Sequence, residues 1–126
     1  MFSEPKTILM IEDQLVYSKI MKRALTAYTS HDIIHLPDGT HMLDVIREHR
    51  PQLLILDYDL PGLNGIELYD LVHSTEGIGP IPAIMVSANL PRAELARRNI
   101  PGLGKPCRIT DLVQIIESSL AQTISL

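Results

Sequence analysis

Short apolar runs alternate along the chain with stretches in which apolar residues recur at helical spacing. The runs predict five β-strands, at residues 8–11, 32–36, 53–56, 81–86 and 102–104. The third run, Leu53-Leu54-Ile55-Leu56, is wholly aliphatic, which is typical of a strand buried on both faces of a parallel sheet. Asp57 follows this run directly, and the turn residues Pro61 and Gly62 come shortly after.

Five helices are predicted between and after the strands. The first spans Gln14 to about Tyr28. One apolar stripe along it is formed by Val16, Ile20, Ala24 and Ala27, and Met21 and Leu25 lie beside that stripe. A short fourth helix is opened by Pro91 and closed by Arg97-Arg98, where cations suit the negative end of the helix dipole. The last helix has the clearest pattern, at i, i+3, i+4, i+7 and i+11: Ile109, Leu112, Val113, Ile116 and Leu120.

This alternation predicts an α/β fold, namely a doubly wound, flavodoxin-like, five-stranded parallel sheet of order 2-1-3-4-5 with helices on both faces. Such a sheet has its switch point between strands one and three, and ligands bind there beyond the carboxyl ends of the strands. Glu12-Asp13 and Asp57 end those two strands, so we expect the three acids to meet in one crevice. Ser87 and Lys105 end the fourth and fifth strands and can face the same edge.

Composition sets the size and class of the protein. The length suits one domain, residues 1–126, with its core at about 6–122. Apolar residues make up 45% and the net charge is −4, which favours neither bulk nucleic-acid binding nor membrane attraction. The single cysteine, Cys107, excludes an internal disulfide, and no apolar run resembles a signal core or a membrane span. We therefore predict a cytoplasmic location.

Three carboxylates in one crevice repel each other, and a divalent cation removes that repulsion. An oxygen-only ligand set suits Mg²⁺, so Glu12 and Asp13 are the predicted metal ligands. Asp57, at the centre of the sheet, is then the predicted nucleophile, and its attack on phosphorus gives an acyl phosphate. Of the three equatorial oxygens of the phosphoryl group, Mg²⁺ can hold one, Lys105 another, and the Ser87 hydroxyl or nearby backbone N–H groups the third.

Together these residues resemble the receiver domain of two-component response regulators of the chemotaxis-regulator type, over about residues 6–122. The resemblance is carried by four short motifs: Glu12-Asp13, Asp57 with Pro61 and Gly65, Ser87-Ala88, and Lys105-Pro106. It implies a phosphoprotein of a phosphorelay that is not an enzyme in its own right. Such a domain catalyses only its own phosphorylation and dephosphorylation.

The resemblance implies a role for each site residue. Asp57 would take phosphate from a sensor histidine kinase or a phosphotransfer protein. The Mg²⁺ ligands would be Glu12, Asp13, Asp57 and the backbone carbonyl of Asp59. Lys105, before a cis peptide bond to Pro106, would pair with the phosphoryl oxygens, and Ser87 would swing toward the phosphate and report it. The downstream target is unknown, no direct nucleic-acid or membrane binding is expected, and a weak homodimer is allowed.

Two departures from the family pattern and two loop residues are expected to affect how the signal leaves or decays. Gly102 occupies the place of the family's aromatic switch residue, and Ser87 and Lys105 lie 18 positions apart, about one helical turn less than the family pattern. We therefore expect a shortened fourth helix, and a signal that leaves by backbone shifts after Ser87 or by another face. Asp59 and Asn89 flank the phosphoryl group in the family and would tune its loss; an ordinary solvated loop is the competing interpretation.

Two other functions remain open at this point. Asp57-Tyr58-Asp59 is similar to the DxD nucleophile motif of haloacid-dehalogenase-like phosphatases. In that family the nucleophile follows the first strand, whereas two strands precede Asp57 here, and Glu12-Asp13 would have no role. The other alternative is a receiver-like binding module that is not phosphorylated, against which the complete acid set argues. The five histidines lack metal-ligand spacing, and Cys107 is interpreted as a packing residue.

Overall fold

The computed structural model describes residues 4–122, so the predicted domain limits at residues 1 and 126 lie outside the described residues. Strands and helices alternate as follows: β1 (Thr7–Ile11), α1 (Leu15–Tyr28), β2 (Asp32–Leu36), α2 (Met42–His49), β3 (Leu53–Leu56), α3 (Gly65–Ser74), β4 (Ala83–Ser87), α4 (Arg92–Arg98), β5 (Gly102–Gly104) and α5 (Ile109–Gln122). The sheet is parallel with the order β2-β1-β3-β4-β5, which confirms the predicted fold class and topology.

The two faces of the sheet bury alternate residues of each strand, because successive side chains of a strand point to opposite faces. Leu9 and Ile11 of β1 pack into one cluster with residues of α2, α3 and α4. Ile8 and Met10 pack into the other with residues of α1 and α5. All four residues of β3 are buried, as its aliphatic run predicts. The central strands are thus fixed rigidly from both sides, and so are the residues that follow them.

The apolar stripe predicted for α1 is wrong in its rotation about the helix axis. Val16 is 72% exposed and Ile20 is 61% exposed, whereas Met21 and Leu25 are buried. Met21 and Leu25 pack against the sheet and α5, and Ser18 completes the buried side of α1, three positions before Met21. The helix therefore presents an unburied apolar face to solvent.

The predicted short fourth helix is confirmed, and the structure shows where it ends and what holds it to α3. α4 has seven residues and ends at Asn99, which adopts a left-handed conformation with φ of 55°. The guanidinium of Arg98 donates to both carboxylate oxygens of Asp70 at 2.7 and 2.8 Å, which ties α4 to α3.

Gly102 allows α4 to lie close to β5. A Cβ added at Gly102 would meet Leu95 Cδ1 at 2.9 Å and Leu90 Cδ2 at 3.4 Å. Two leucine side chains therefore lie over Gly102. Among residues 4–122 there is no helix with the length and apolar character that crossing a membrane requires.

Candidate functional site

Three carboxylates meet at the carboxyl edge of the sheet. Ile11 and Leu56 are partners in the β1–β3 register, so the residues after them, Glu12 and Asp57, emerge side by side. One oxygen from each of Glu12, Asp13 and Asp57 lies within 4.8 Å of the others. Glu12 and Asp57 are buried, while Asp13 is exposed. The expectation that these acids share one crevice is therefore met.

Glu12 is fixed by its neighbours on several sides. Its backbone N–H donates to the carbonyl of Leu36 at 3.0 Å, and its own carbonyl accepts from His35 Nε2 at 2.7 Å. One carboxylate oxygen, Oε2, accepts from the backbone N–H of Gln14 at 3.0 Å. The position of the carboxylate at the end of β1 is thus determined by β2 and by the start of α1.

Lys105 bridges the two buried carboxylates. Its Nζ donates to Glu12 Oε1 at 2.5 Å and to Asp57 Oδ2 at 3.0 Å, with a longer contact to Gln14 Oε1 at 3.4 Å. The ammonium also lies 4.5 Å from the centroid of the Tyr17 ring. The backbone N–H of Lys105 donates to the carbonyl of Ser87, and the peptide bond to Pro106 is cis, as expected.

The protonation of the site follows from burial and charge. Burial raises the pKa of Glu12 above its usual range, even though hydrogen bonds from Lys105 and Gln14 act in the opposite direction. For Lys105, burial lowers the pKa, but the bonds to Glu12 and Asp57 outweigh it and raise the pKa overall. The lysine is therefore charged at neutral pH. With all four groups ionised, three carboxylates and one ammonium leave a local excess of negative charge that favours a divalent cation.

The loop after β3 is shaped by two glycines and a helix cap. Gly62 has a backbone φ of 76°, which residues with a side chain rarely adopt. Asn64 and Glu67 form a capping box, each side chain accepting from the backbone N–H of the other, which sets where α3 begins. At Gly65 an added Cβ would lie 2.3 Å from the backbone carbonyl oxygen of Asp57. α3 can therefore start directly against the backbone of Asp57.

The remaining predicted residues lie around this centre. Ser87 is fully buried at the end of β4, and its hydroxyl accepts from the backbone N–H of Asn89 at 3.3 Å. Asp59 and Asn89 are both exposed. The structure thus brings Glu12, Asp13, Asp57 and Lys105 together, and it places Ser87 at the neighbouring strand end with its hydroxyl engaged locally.

Three residues that contact this centre were missed in the sequence. Gln14 and Tyr17 contact Lys105, and His35 contacts the backbone of Glu12. For Tyr17 no signal existed in the sequence, because Asp13 precedes the helix and the contact depends on how α1 packs against the loop after β5. For His35 the β1–β2 register was needed, since it depends on long-range strand pairing.

The fold and the acids at its switch point place the chain among doubly wound α/β proteins that bind ligands at the carboxyl edge of the sheet. Within that class, the family model for the response regulator receiver domain matches residues 8–117. The chain therefore belongs to the response regulator receiver domain family, as its motifs indicated. Proteins of this family work in two-component phosphorelays and are signalling proteins rather than classical enzymes.

Similar proteins support this assignment. The polar-differentiation response regulator DivK of Brucella anthropi is 28% identical over 120 residues, covering 92% of this chain and 97% of that protein. The CheY-like receiver domain protein of Methanospirillum hungatei has a TM-score of 0.82 at 20% identity, covering 94% of this chain and 96% of that one. The receiver domain of a Pseudomonas aeruginosa sensor histidine kinase has a TM-score of 0.81 at 20% identity, covering 94% and 99%. Its active-site cleft holds a magnesium ion.

Proposed function

We propose that this protein accepts a phosphoryl group on Asp57 in a Mg²⁺-dependent reaction and signals through the resulting conformational change. One observation carries the proposal: Asp57 Oδ2 lies 3.0 Å from Lys105 Nζ, and its carboxylate shares a cluster with Glu12 and Asp13. A buried carboxylate beside both a metal-binding pair and a lysine has the partners that phosphoryl transfer requires.

The donor set fits Mg²⁺. It consists of oxygens alone, it carries an excess of negative charge, and one member is exposed, so that water ligands can be kept. Glu12, Asp13 and Asp57 would hold the ion with side-chain oxygens, and Asp59 with its backbone carbonyl. When bound, Mg²⁺ neutralises charge on the transferring phosphoryl group.

The chain's own residues then have distinct roles. A carboxylate oxygen of Asp57 forms a bond to phosphorus while the phosphorus–nitrogen bond of a donor phosphohistidine breaks, and the imidazole keeps the electron pair. Lys105 stabilises the phosphoryl oxygens, because its charged Nζ already lies against Asp57. Ser87 gives up its bond to the backbone N–H of Asn89 and turns toward the phosphoryl group. Asp59 tunes the loss of phosphate by placing negative charge near an incoming water.

The exposed face of α1 is where the phosphodonor contacts this protein. α1 contains three cations and no acidic residue, and it begins two positions after Asp13. Its exposed apolar residues include Leu15, Val16 and Ile20, and the exposed cations Lys19 and Arg23 lie beside Val16 and Ile20 on the helix surface. A histidine kinase or phosphotransfer protein that brings its histidine to Asp57 must cover the surface beside the crevice, and an apolar face with cations along one side suits such a partner.

We also propose the extent of the domain and the way in which it passes on the signal. The chain forms one receiver domain with its core at about 6–122, acts in the cytoplasm and binds neither DNA nor membrane directly. Phosphorylation shifts the backbone after Ser87, and Leu90 transmits the shift to α4 because it lies over Gly102 together with Leu95 of α4. The downstream target binds the altered surface, and a weak homodimer is one form that this response takes.

Labelling with a small phosphodonor tests the proposal. Incubation with acetyl phosphate and Mg²⁺ should add one phosphoryl group per chain, and peptide mapping should place it on Asp57. Asp57→Asn should abolish the label, whereas Asp44→Asn, which changes an exposed acid of α2, should not. Label that persists in Asp57→Asn would refute the site. Steady release of phosphate from many small esters would instead support a phosphatase, and a lack of any label would support a module that is not phosphorylated.

A further inference from the structure

Tyr17 lies in the first turn of α1 with its ring against the site. Lys105 Nζ lies 4.5 Å from the ring centroid, well within the distance at which an ammonium is attracted to an aromatic face. The lysine side chain is only 10% exposed, and the ring is itself partly buried against the core cluster shared by α1 and α5. The contact is therefore shielded from water, which strengthens it.

The ring differs in kind from the two carboxylate partners of the ammonium. Glu12 and Asp57, which accept its two shorter hydrogen bonds, are also proposed ligands of the metal. When Glu12 turns an oxygen to a cation, Lys105 loses one of its anchors. The Tyr17 ring carries no charge and binds no metal, so its attraction for the ammonium persists. A flexible lysine stem without such a support would spread over several rotamers.

The hydroxyl of Tyr17 ties the ring to the segment that carries the lysine. It lies 3.9 Å from Cys107 Sγ, two residues beyond Lys105. Burial, followed by the Cys107 thiol, raises the pKa of Tyr17, so the phenol is neutral at physiological pH. The partner of the ammonium is consequently the ring face and not a phenolate.

We propose that Tyr17 is a positioning residue that holds the Lys105 ammonium against Asp57 through its ring face, including when Glu12 is engaged by a metal ion. The inference rests on the proposed phosphoacceptor function of Asp57. It adds a residue outside the acidic cluster that sets the rate of phosphorylation through the lysine.

A set of variants tests the kinetic part with acetyl phosphate at saturating Mg²⁺. Tyr17→Phe keeps the ring and should phosphorylate at the wild-type rate. Tyr17→Leu keeps the apolar bulk and should be slower by about three- to tenfold, the range expected for a partly desolvated cation over a ring. In a Lys105→Met background, Tyr17→Leu should cause no further loss. Val113→Ala, a truncation in the same core cluster, should leave the rate unchanged.

A spectroscopic measurement is independent of phosphorylation. In the metal-free, unphosphorylated protein the ε-methylene protons of Lys105 should show an upfield ring-current shift that Tyr17→Phe retains and Tyr17→Leu loses. Absence of this shift in the wild type overturns the proposal, even where Tyr17→Leu does not fold. A Tyr17→Phe rate as low as that of Tyr17→Leu, or a Tyr17→Leu rate equal to wild type, also overturns it. A wild type that keeps the shift but is not labelled on Asp57 refutes the phosphoacceptor function instead.

Discussion

Gly65→Ala should destabilise the protein and disturb Asp57, because the space beside Gly65 is taken by main chain. The added Cβ would lie 2.3 Å from the carbonyl oxygen and 3.1 Å from the carbonyl carbon of Asp57, and 2.8 Å from Met85 Cε. The methionine tip can move, but the backbone of Asp57 follows a strand buried on both faces and cannot move freely. Alanine gains about 1 kcal/mol at most from helix propensity, whereas forcing a methyl into packed structure costs about 1–3 kcal/mol.

We therefore expect Gly65→Ala to lower the free energy of unfolding by about 1–2 kcal/mol, measured by urea denaturation with the m-value unchanged. The phosphorylation rate should fall as well, since a displaced carboxylate loses its alignment with Lys105.

Two other glycine variants serve as controls. At Gly104 an added Cβ meets nothing within 4 Å, so Gly104→Ala should stay within about 0.5 kcal/mol of wild type. At Gly102 the nearest atom belongs to the flexible end of Leu95, so Gly102→Ala should fall between the other two. If Gly65→Ala were as stable as Gly104→Ala, the claim that α3 begins against a fixed Asp57 backbone would be wrong.

Three further predictions concern the surface and the acidic cluster. Asp70→Asn should lower stability by about 0.5–1 kcal/mol near neutral pH, because the pair with Arg98 is bidentate but half exposed. Hydrogen bonds from Arg98 lower the pKa of Asp70, so this stabilisation exists above the ordinary aspartate range and is lost as pH falls through the folded-state pKa. Lys19→Glu on α1 should slow transfer from the cognate donor, whereas Arg47→Glu on α2 should not, and neither should affect acetyl phosphate. Glu12→Gln should weaken Mg²⁺ binding by at least about tenfold in calorimetric titration.

Each of these has an outcome that counts against it. A stability difference for Asp70→Asn that stays constant from neutral pH down to acid denaturation would remove the assigned role of the ion pair. Equal transfer rates for Lys19→Glu and Arg47→Glu would place the donor on another face. Unchanged Mg²⁺ affinity in Glu12→Gln would mean that the ion binds without Glu12.

The sequence was most informative where one physical requirement dominated. The run of four aliphatics before Asp57 has to be buried on both faces, and the alternation of strands and helices then predicts a doubly wound parallel sheet, in which Glu12 lies beside Asp57. The rotation of α1 could not be predicted in the same way. Val16 and Ile20 compete with Met21 and Leu25 for the core, and only packing against the sheet and α5 decides between them.

The contacts around Lys105 show a second limit of sequence reasoning. That a lysine would face the acids followed from its place at the end of β5. That Tyr17 would lie against its ammonium depended on the exact approach of α1 to the loop after β5, which arises from tertiary packing. Likewise, the missing aromatic at Gly102 was visible in the sequence, but the leucines that lie over it were not.

A crystal structure of the protein with Mg²⁺ and beryllium fluoride, a mimic of the phosphoryl group, is the most direct test of the central claim. We expect the mimic on Asp57, the ion on Glu12, Asp13, Asp57 and the Asp59 carbonyl, and Lys105 Nζ moved from Glu12 to a fluoride. A structure in which Lys105 still bridges Glu12 and Asp57, with the mimic and the ion bound elsewhere, would contradict it.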